Sequence, residues 1–95
     1  MITKEQKMNL YTDLLSELNK SEIYFEQDDL EKMVSVQVDS NKIAYVEVYK
    51  DYYISGVANY DSSNNFWEFS NVGCPDFYDA PSATDWLIIA NKMGV

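Results

Sequence analysis

The stretch MVSVQVDSNKIAYVEVYKDYYISGVANY, residues 33–60, contains three runs rich in valine, isoleucine and tyrosine. In the first run a valine stands at every second position from Val34, which is the pattern of a strand that buries one face. The runs cover residues 33–39, 42–49 and 52–60, and the polar pairs Ser40–Asn41 and Lys50–Asp51 separate them. Such pairs favour tight turns. The stretch therefore predicts three antiparallel strands in a meander, with Gly56 marking a bulge.

Shorter apolar runs on both sides of this stretch predict further strands. After a polar loop over residues 61–65, the sequence FWEFS predicts a last strand over residues 66–70. Before the stretch, EIYFE predicts a short strand over residues 22–26, and an acidic loop or single turn follows over residues 27–32. The sheet is thus expected to contain four to five strands.

Helical periodicity predicts one helix at each end of the chain. Thr3 and Gln6 form a capping box for a helix over residues 4–19, whose apolar positions are Met8, Tyr11, Leu14 or Leu15, and Leu18. A second helix is expected over residues 83–93, with Ser82 as N-cap, Asp85 at the capping-box position and Gly94 past the end. Its apolar stripe is expected to contain Trp86, Ile89, Ala90 and Met93.

The order of helix, antiparallel meander and helix predicts an α+β fold, a two-layer sandwich formed by one domain over residues 1–95. Both helices would cover the same face of the sheet. The side chains expected beneath them are Val34, Val36, Val38, Ala44, Val46, Val48, Ile54, Trp67 and Phe69. The side chains expected on the opposite face are Gln37, Tyr45, Glu47, Tyr49, Tyr53 and Glu68. A register error of one residue would move a strand's whole set to the other face.

The charge of the chain restricts the partners it can bind. Sixteen Asp and Glu face seven Lys, with no Arg and no His, and the net charge is −9. Residues 51–91 contain six acids and no base, and residues 22–31 contain five acids and no base. This field repels nucleic acid and anionic membranes and attracts basic proteins. Solubility alone is the competing explanation for the acidity.

Most catalytic chemistries lack their usual residues here. Cys74 is the single cysteine, which suits a reducing compartment, and a cytoplasmic location is expected. Without His, neither a Cys–His nor a Ser–His arrangement can form, and zinc lacks its common ligands. Residues 61–65 resemble the start of a calcium loop, but Phe66 and Val72 stand where such a loop needs Gly and Glu. We therefore expect no enzyme, no cofactor and no metal.

Acids and aromatics interleave on the strands and on residues 73–81, GCPDFYDAP. Carboxylates can bind the Lys and Arg of a groove built for nucleic acid, and tyrosines supply anchors of low entropy cost. The residues expected to bind a partner are Tyr45, Glu47, Tyr49, Glu68, Asp76, Phe77, Tyr78, Asp79 and Asp85. Two alternatives stay open: Phe77 fits a core position equally well, and Tyr is a common residue on an ordinary solvated sheet face.

These observations predict a small acidic inhibitor that acts as a DNA mimic on the nucleic-acid-binding surface of a basic enzyme such as a nuclease. Phage and mobile-element anti-defence proteins, anti-CRISPR and anti-restriction proteins among them, are similar in size and charge, although no specific motif links this chain to one of those families. The alternative is an immunity protein or antitoxin that neutralises a basic nuclease toxin. A subunit whose acidity serves only solubility is a third possibility. The oligomeric state does not follow from the sequence.

Overall fold

A computed structural model describes residues 3–94. The helices are α1 (Lys4–Ser21) and α2 (Ala80–Met93), and the strands are β1 (Glu26–Asp28), β2 (Met33–Asp39), β3 (Lys42–Tyr49), β4 (Tyr52–Asp61), β5 (Phe66–Ser70) and β6 (Asp76–Phe77). The strands β1 to β5 form an antiparallel sheet in chain order, and β6 also pairs with β4. The α+β fold with an N-terminal helix, a meander and a C-terminal helix is therefore confirmed. Neither helix is long and apolar enough to cross a membrane.

The outer edge of β4 is shared by two strands. β5 pairs with residues 57–61 of β4, and β6 pairs with residues 53–54. Between β5 and β6, residues 71–75 leave the sheet opposite Ser55 and Gly56. The Ser55 hydroxyl donates a hydrogen bond to the Pro75 carbonyl and so holds the returning chain against this edge. The connection between β5 and α2, which follows the last strand that the sequence predicts, therefore contains one further short strand.

The predicted first strand over residues 22–26 is wrong, because β1 begins at Glu26. The C-cap residue of α1, Glu22, is in the left-handed conformation, with φ of 63°. Ile23 and Phe25 then pack against the core while the chain passes from the helix to the sheet. These two side chains pack against the core without pairing in the sheet, so their hydrophobicity does not indicate a strand.

The predicted start of α1 is confirmed, and its predicted buried face is confirmed in part. The Gln6 backbone N–H donates to Thr3 Oγ1 at 3.1 Å, and the Thr3 N–H donates to Gln6 Oε1 at 2.9 Å, which completes the capping box. The buried residues of this helix are Tyr11, Leu14 and Leu18. Leu15 is half-buried and Met8 is exposed, so the apolar face is narrower than expected.

The predicted N-cap of α2 is wrong by one turn. Asp79 is the N-cap, and its Oδ1 accepts a hydrogen bond from the Ser82 N–H at 2.8 Å. Ser82 therefore lies inside the first turn, and Asp85 is an exposed helix residue outside any capping box. Gly94 follows the end of the helix, as expected.

The buried face of α2 also differs from the expected stripe. It consists of Ala80, Ala83, Thr84, Leu87 and Ala90, whereas Ile89 and Met93 are exposed and Trp86 is half-buried. Small side chains let this helix lie close to α1 and the sheet, and a stripe chosen by side-chain size misses them.

The predicted faces are right for β2 and β3 and inverted for β4 and β5. Val48 pairs with Tyr53, so Tyr53 points toward the helices and is 1% exposed, whereas the next residue, Ile54, points away. The same alternation continues through the pair Asn59–Glu68, which places Trp67 and Phe69 on the face away from the helices. The two-residue turn at Lys50–Asp51 fixes this register, because it sets Tyr49 opposite Tyr52.

The core lies between the two helices and one face of β2, β3 and the start of β4. Its buried members are Tyr11, Leu14, Leu18, Val34, Val36, Ala44, Val46, Val48, Tyr53, Ala80, Ala83, Leu87 and Ala90. Val38, Phe77 and Trp86 pack against this set from its margin. The opposite face, called the open face below, carries the other half of each strand's side chains.

Candidate protein-binding surface

The Tyr45 side chain packs over Gly56 and fills the middle of the open face. Tyr45 lies opposite Gly56, and a Cβ at residue 56 would come within 2.5 Å of the Tyr45 ring. The ring also meets Phe69 edge-on with centroids 5.4 Å apart, and Tyr45 is 5% exposed. The pairing of β3 with β4 passes Gly56 without a shift, so the bulge expected there is absent from this pairing. The glycine instead makes room for Tyr45, which leaves little of that ring for a partner.

Three tyrosines form a continuous cluster at the end of the open face next to α2. Tyr52 meets Tyr49 edge-on at 5.8 Å between centroids, and Tyr78 stacks on Tyr52 at 5.5 Å. Tyr49 is 43% exposed and Tyr78 is 77% exposed. We call Tyr49, Tyr52 and Tyr78 the tyrosine cluster. The sequence singled out Tyr49 and Tyr78 but missed Tyr52, which holds the other two together.

Carboxylates flank the tyrosine cluster on both sides of β4. Ile54 pairs with Glu47 on β3 and with Asp76 on β6, so the two acids lie on the open face two strands apart, roughly 10 Å. Burial and the neighbouring Glu31 raise the pKa of Glu47, and Lys7 partly offsets this. Burial and the Asp76 charge raise the pKa of Tyr52. Asp76 therefore acts on a ring of the tyrosine cluster, whereas Glu47 shares the open face with Tyr49 two residues away.

One contact within the chain places a cation against this region. Lys50 Nζ lies over the Tyr49 ring, 5.3 Å from its centroid. An ammonium group at this distance from an aromatic face is attracted by the ring quadrupole. Asp51, the next residue of the same turn, is exposed. The turn therefore places a ring, a cation and a carboxylate side by side at the surface.

The remaining residues expected to bind a partner lie elsewhere. Glu68 is exposed on the helix side of the sheet, opposite Asn59. Phe77 points toward the helices, with its ring 6.2 Å from that of Trp86, so it occupies the core position that the sequence left open. Asp79 caps α2, and Asp85 is exposed on that helix. The structure thus joins Glu47, Tyr49, Asp76 and Tyr78, places Asp79 next to Tyr78 at the start of α2, and separates Glu68, Phe77 and Asp85 from them.

A second aromatic group lies at the far end of the open face. Trp67 meets Tyr60 at 5.3 Å between centroids, and Phe69 is half exposed. The sequence placed Trp67 and Phe69 in the core. Their exposure follows from the register of β4 and β5. The open face therefore carries one aromatic group at each end, with the packed Tyr45 between them.

The loop that resembled a calcium site is organised by its own hydrogen bonds. Asp61 Oδ1 accepts from the backbone N–H groups of Ser63 and Asn64, and Oδ2 accepts from the Asn64 side chain at 2.8 Å. The Asn64 side chain is the main cause that lowers the pKa of Asp61. Among residues 3–94, no three His, Cys, Asp or Glu side chains converge as metal ligands would.

Comparisons with protein-family models, with curated proteins and with solved structures found no match. The assignment of a function therefore depends on the geometry and charge of the open face.

Proposed function

We propose that this protein binds a basic protein through the tyrosine cluster and the adjoining acids, and thereby occupies the nucleic-acid-binding surface of an enzyme such as a nuclease. The observation that carries the proposal is the exposed tyrosine cluster flanked by Glu47, Asp51 and Asp76 on the sheet face that lies away from α1 and α2. We favour a role in which the inhibitor protects a phage or mobile element from the nucleases of its host.

The chemistry of the surface supports a protein partner over a nucleic acid. Tyrosine has few rotatable bonds, so its ring is buried at an interface at low entropic cost. Carboxylates bind the Lys and Arg that a nuclease presents to phosphate groups. The net charge of −9 speeds encounter with such a surface and repels DNA and RNA.

Two charge reversals of equal size test the location of the contact. Asp76 lies on the open face, whereas Asp85 is exposed on α2, which packs against the other face. We expect Asp76→Lys to weaken binding to a target nuclease at least tenfold, about 1.4 kcal/mol. Asp85→Lys should change it little. Affinity is measured by calorimetry against purified nucleases from the source strain, and circular dichroism checks the fold of both variants.

The inhibition itself is tested by competition with DNA. The protein should displace labelled DNA from the target with one-to-one stoichiometry, and Asp76→Lys should require a higher concentration. Undisturbed DNA binding by every candidate nuclease at excess protein contradicts the proposal. Equal weakening by Asp76→Lys and Asp85→Lys contradicts the mapped surface. A target encoded beside this chain as a toxin would instead identify an immunity protein, which uses the same contacts.

A further inference from the structure

A groove of about 540 Å³ lies between α1 and the start of α2. Leu10, Asp13 and Glu17 line it from α1, and Asp79 and Pro81 line it at the start of α2. Tyr53, which is buried, contributes to its base.

Tyr78 connects the groove to the tyrosine cluster. It lines the groove and also stacks on Tyr52 at 5.5 Å. Tyr78 is 77% exposed, so its ring is accessible to a partner. A partner that covers the tyrosine cluster therefore reaches the groove across a single side chain.

The charge of the groove is negative. Three carboxylates, those of Asp13, Glu17 and Asp79, face one ammonium group, that of Lys20, which leaves a net charge of −2. Lys20 Nζ lies 3.3 Å from Glu17 Oε1, but its side chain is 70% exposed, so the pair is held weakly. Asp13 lies on α1 and Asp79 at the start of α2, so an incoming cation meets carboxylates from both sides.

The field of these acids reaches the base of the groove. The Tyr53 hydroxyl donates to the Leu10 carbonyl at 2.8 Å. Burial raises the pKa of Tyr53 to about 12, and the Asp13 and Asp79 charges add to the effect. The same two charges that disfavour an anion at this hydroxyl favour a cation in the space above it.

The shape of the lining suits a long side chain with a cationic end. Leu10 and Pro81 provide apolar walls for a methylene chain, and the Tyr78 ring provides an aromatic face for the charge. A planar guanidinium can stack on the ring and donate to carboxylates in its plane at the same time, which an ammonium group cannot do.

We propose that the groove receives an arginine side chain of the basic partner, so that the binding surface continues from the tyrosine cluster across Tyr78 onto α1. The identity of the partner rests on the function proposed above. The groove itself is testable without the partner, because a short arginine peptide carries the same group.

The test is a titration of the ¹⁵N-labelled protein with a hexaarginine peptide, followed by amide chemical shifts. The largest shifts are expected at Ser16, Glu17, Tyr78 and Ala80. The double variant Asp13→Asn with Glu17→Gln should bind the peptide at least tenfold more weakly. Glu5→Gln with Asp85→Asn removes the same two charges from exposed positions outside the groove and should change the affinity less than about threefold, well under 1 kcal/mol.

Each outcome decides the proposal. Equal weakening in both double variants overturns the groove, because net charge alone then explains binding. Hexalysine that binds as tightly as hexaarginine overturns the choice of arginine. Shifts confined to Tyr49, Tyr52 and Asp76 overturn the groove while the open-face proposal stands. If the amide shifts lie in the groove and the Asp76→Lys variant binds nuclease normally, the groove proposal is supported and the open-face proposal is overturned.

Discussion

Two tyrosine hydroxyls fasten α1 to the rest of the fold. Tyr53 on β4 donates to the Leu10 carbonyl at 2.8 Å, and Tyr11 on α1 donates to Asp29 Oδ1 at 2.6 Å. Burial raises the pKa of both tyrosines, and the hydrogen bond to Asp29 raises that of Tyr11 further. Lys32, in the turn after β1, also contacts this tyrosine, with its Nζ 5.6 Å from the centre of the Tyr11 ring. Both hydroxyls must stay protonated for these bonds to persist.

The raised pKa values predict a loss of stability in alkali. A folded-state pKa above the unfolded value of about 10 stabilises the fold fully below pH 10 and loses that contribution as the pH rises toward 12. Each tyrosine then costs about 1.4 kcal/mol per pH unit. We expect Tyr53→Phe to lose about 1 kcal/mol at pH 7, from the missing hydrogen bond, and to show a flatter alkaline decline.

Urea unfolding at pH 7, 9, 10.5 and 11.5 measures this decline. The exposed Tyr78→Phe is the control and should fall as steeply as the unmodified protein. A Tyr53→Phe variant with an equally steep decline would show that the Tyr53 hydroxyl does not set the alkaline limit.

At the scale of the elements, local patterns predict both helices and the strands β2 to β5, but not the start of β1, the strand β6 or the facing of β4 and β5. The Lys50–Asp51 turn fixes the register of β3 against β4, because a two-residue turn sets Tyr49 opposite Tyr52 and Val48 opposite Tyr53. Hydrophobicity nevertheless predicts that Ile54, and not its neighbour Tyr53, is the buried residue. The hydrogen-bond partner of Tyr53, the Leu10 carbonyl, is 43 residues away, and no local pattern reveals it.

The candidate surface was predictable only in part for the same reason. Glu47 and Tyr49 share a face with each other by strand alternation, which the sequence shows. Their proximity to Asp76 depends on the return of β6 to the edge of β4. The sequence does not reveal Tyr52, because its role depends on contacts with Tyr49 on β3 and with Tyr78, which follows β6. The excess of acid, in contrast, is a property of composition and needs no fold.

The cap of α2 gives a prediction at this scale. Asp79 Oδ1 accepts from the Ser82 N–H at 2.8 Å, and Oδ2 accepts from the Ser82 hydroxyl at 3.0 Å. Asp79→Ala should destabilise the protein by about 1 kcal/mol, because an N–H at the helix start loses its partner. Ser82→Ala removes only an exposed side-chain bond and should cost a few tenths of that.

Urea unfolding compares the two variants at pH 7, with Asp79→Asn as the control that keeps the cap without its charge. If Ser82→Ala were the more damaging change, the helix would begin one turn later than the structure shows.

For the whole molecule, the net charge of −9 acts on folding and on binding in opposite directions. The protein measures 39 × 27 × 23 Å. The Debye length is about 30 Å at 0.01 M salt and about 10 Å at 0.1 M. At the lower concentration nearly every carboxylate therefore repels the others across the molecule, and at the higher one only neighbours interact.

We therefore expect the stability of the free protein to rise with NaCl between 0.01 and 0.3 M by on the order of 1 kcal/mol, about 4–8 °C in Tm for a chain of this size. Affinity for a basic partner should fall over the same range, because salt screens attraction as it screens repulsion. Thermal unfolding and calorimetry in matched buffers measure the two trends. Glu5→Gln with Asp85→Asn, which removes two repelling charges, should have a weaker salt dependence of stability. Stability that fell with salt would mean that ion pairs such as Lys20–Glu17 outweigh the repulsion, and affinity independent of salt would remove the electrostatic basis of recognition.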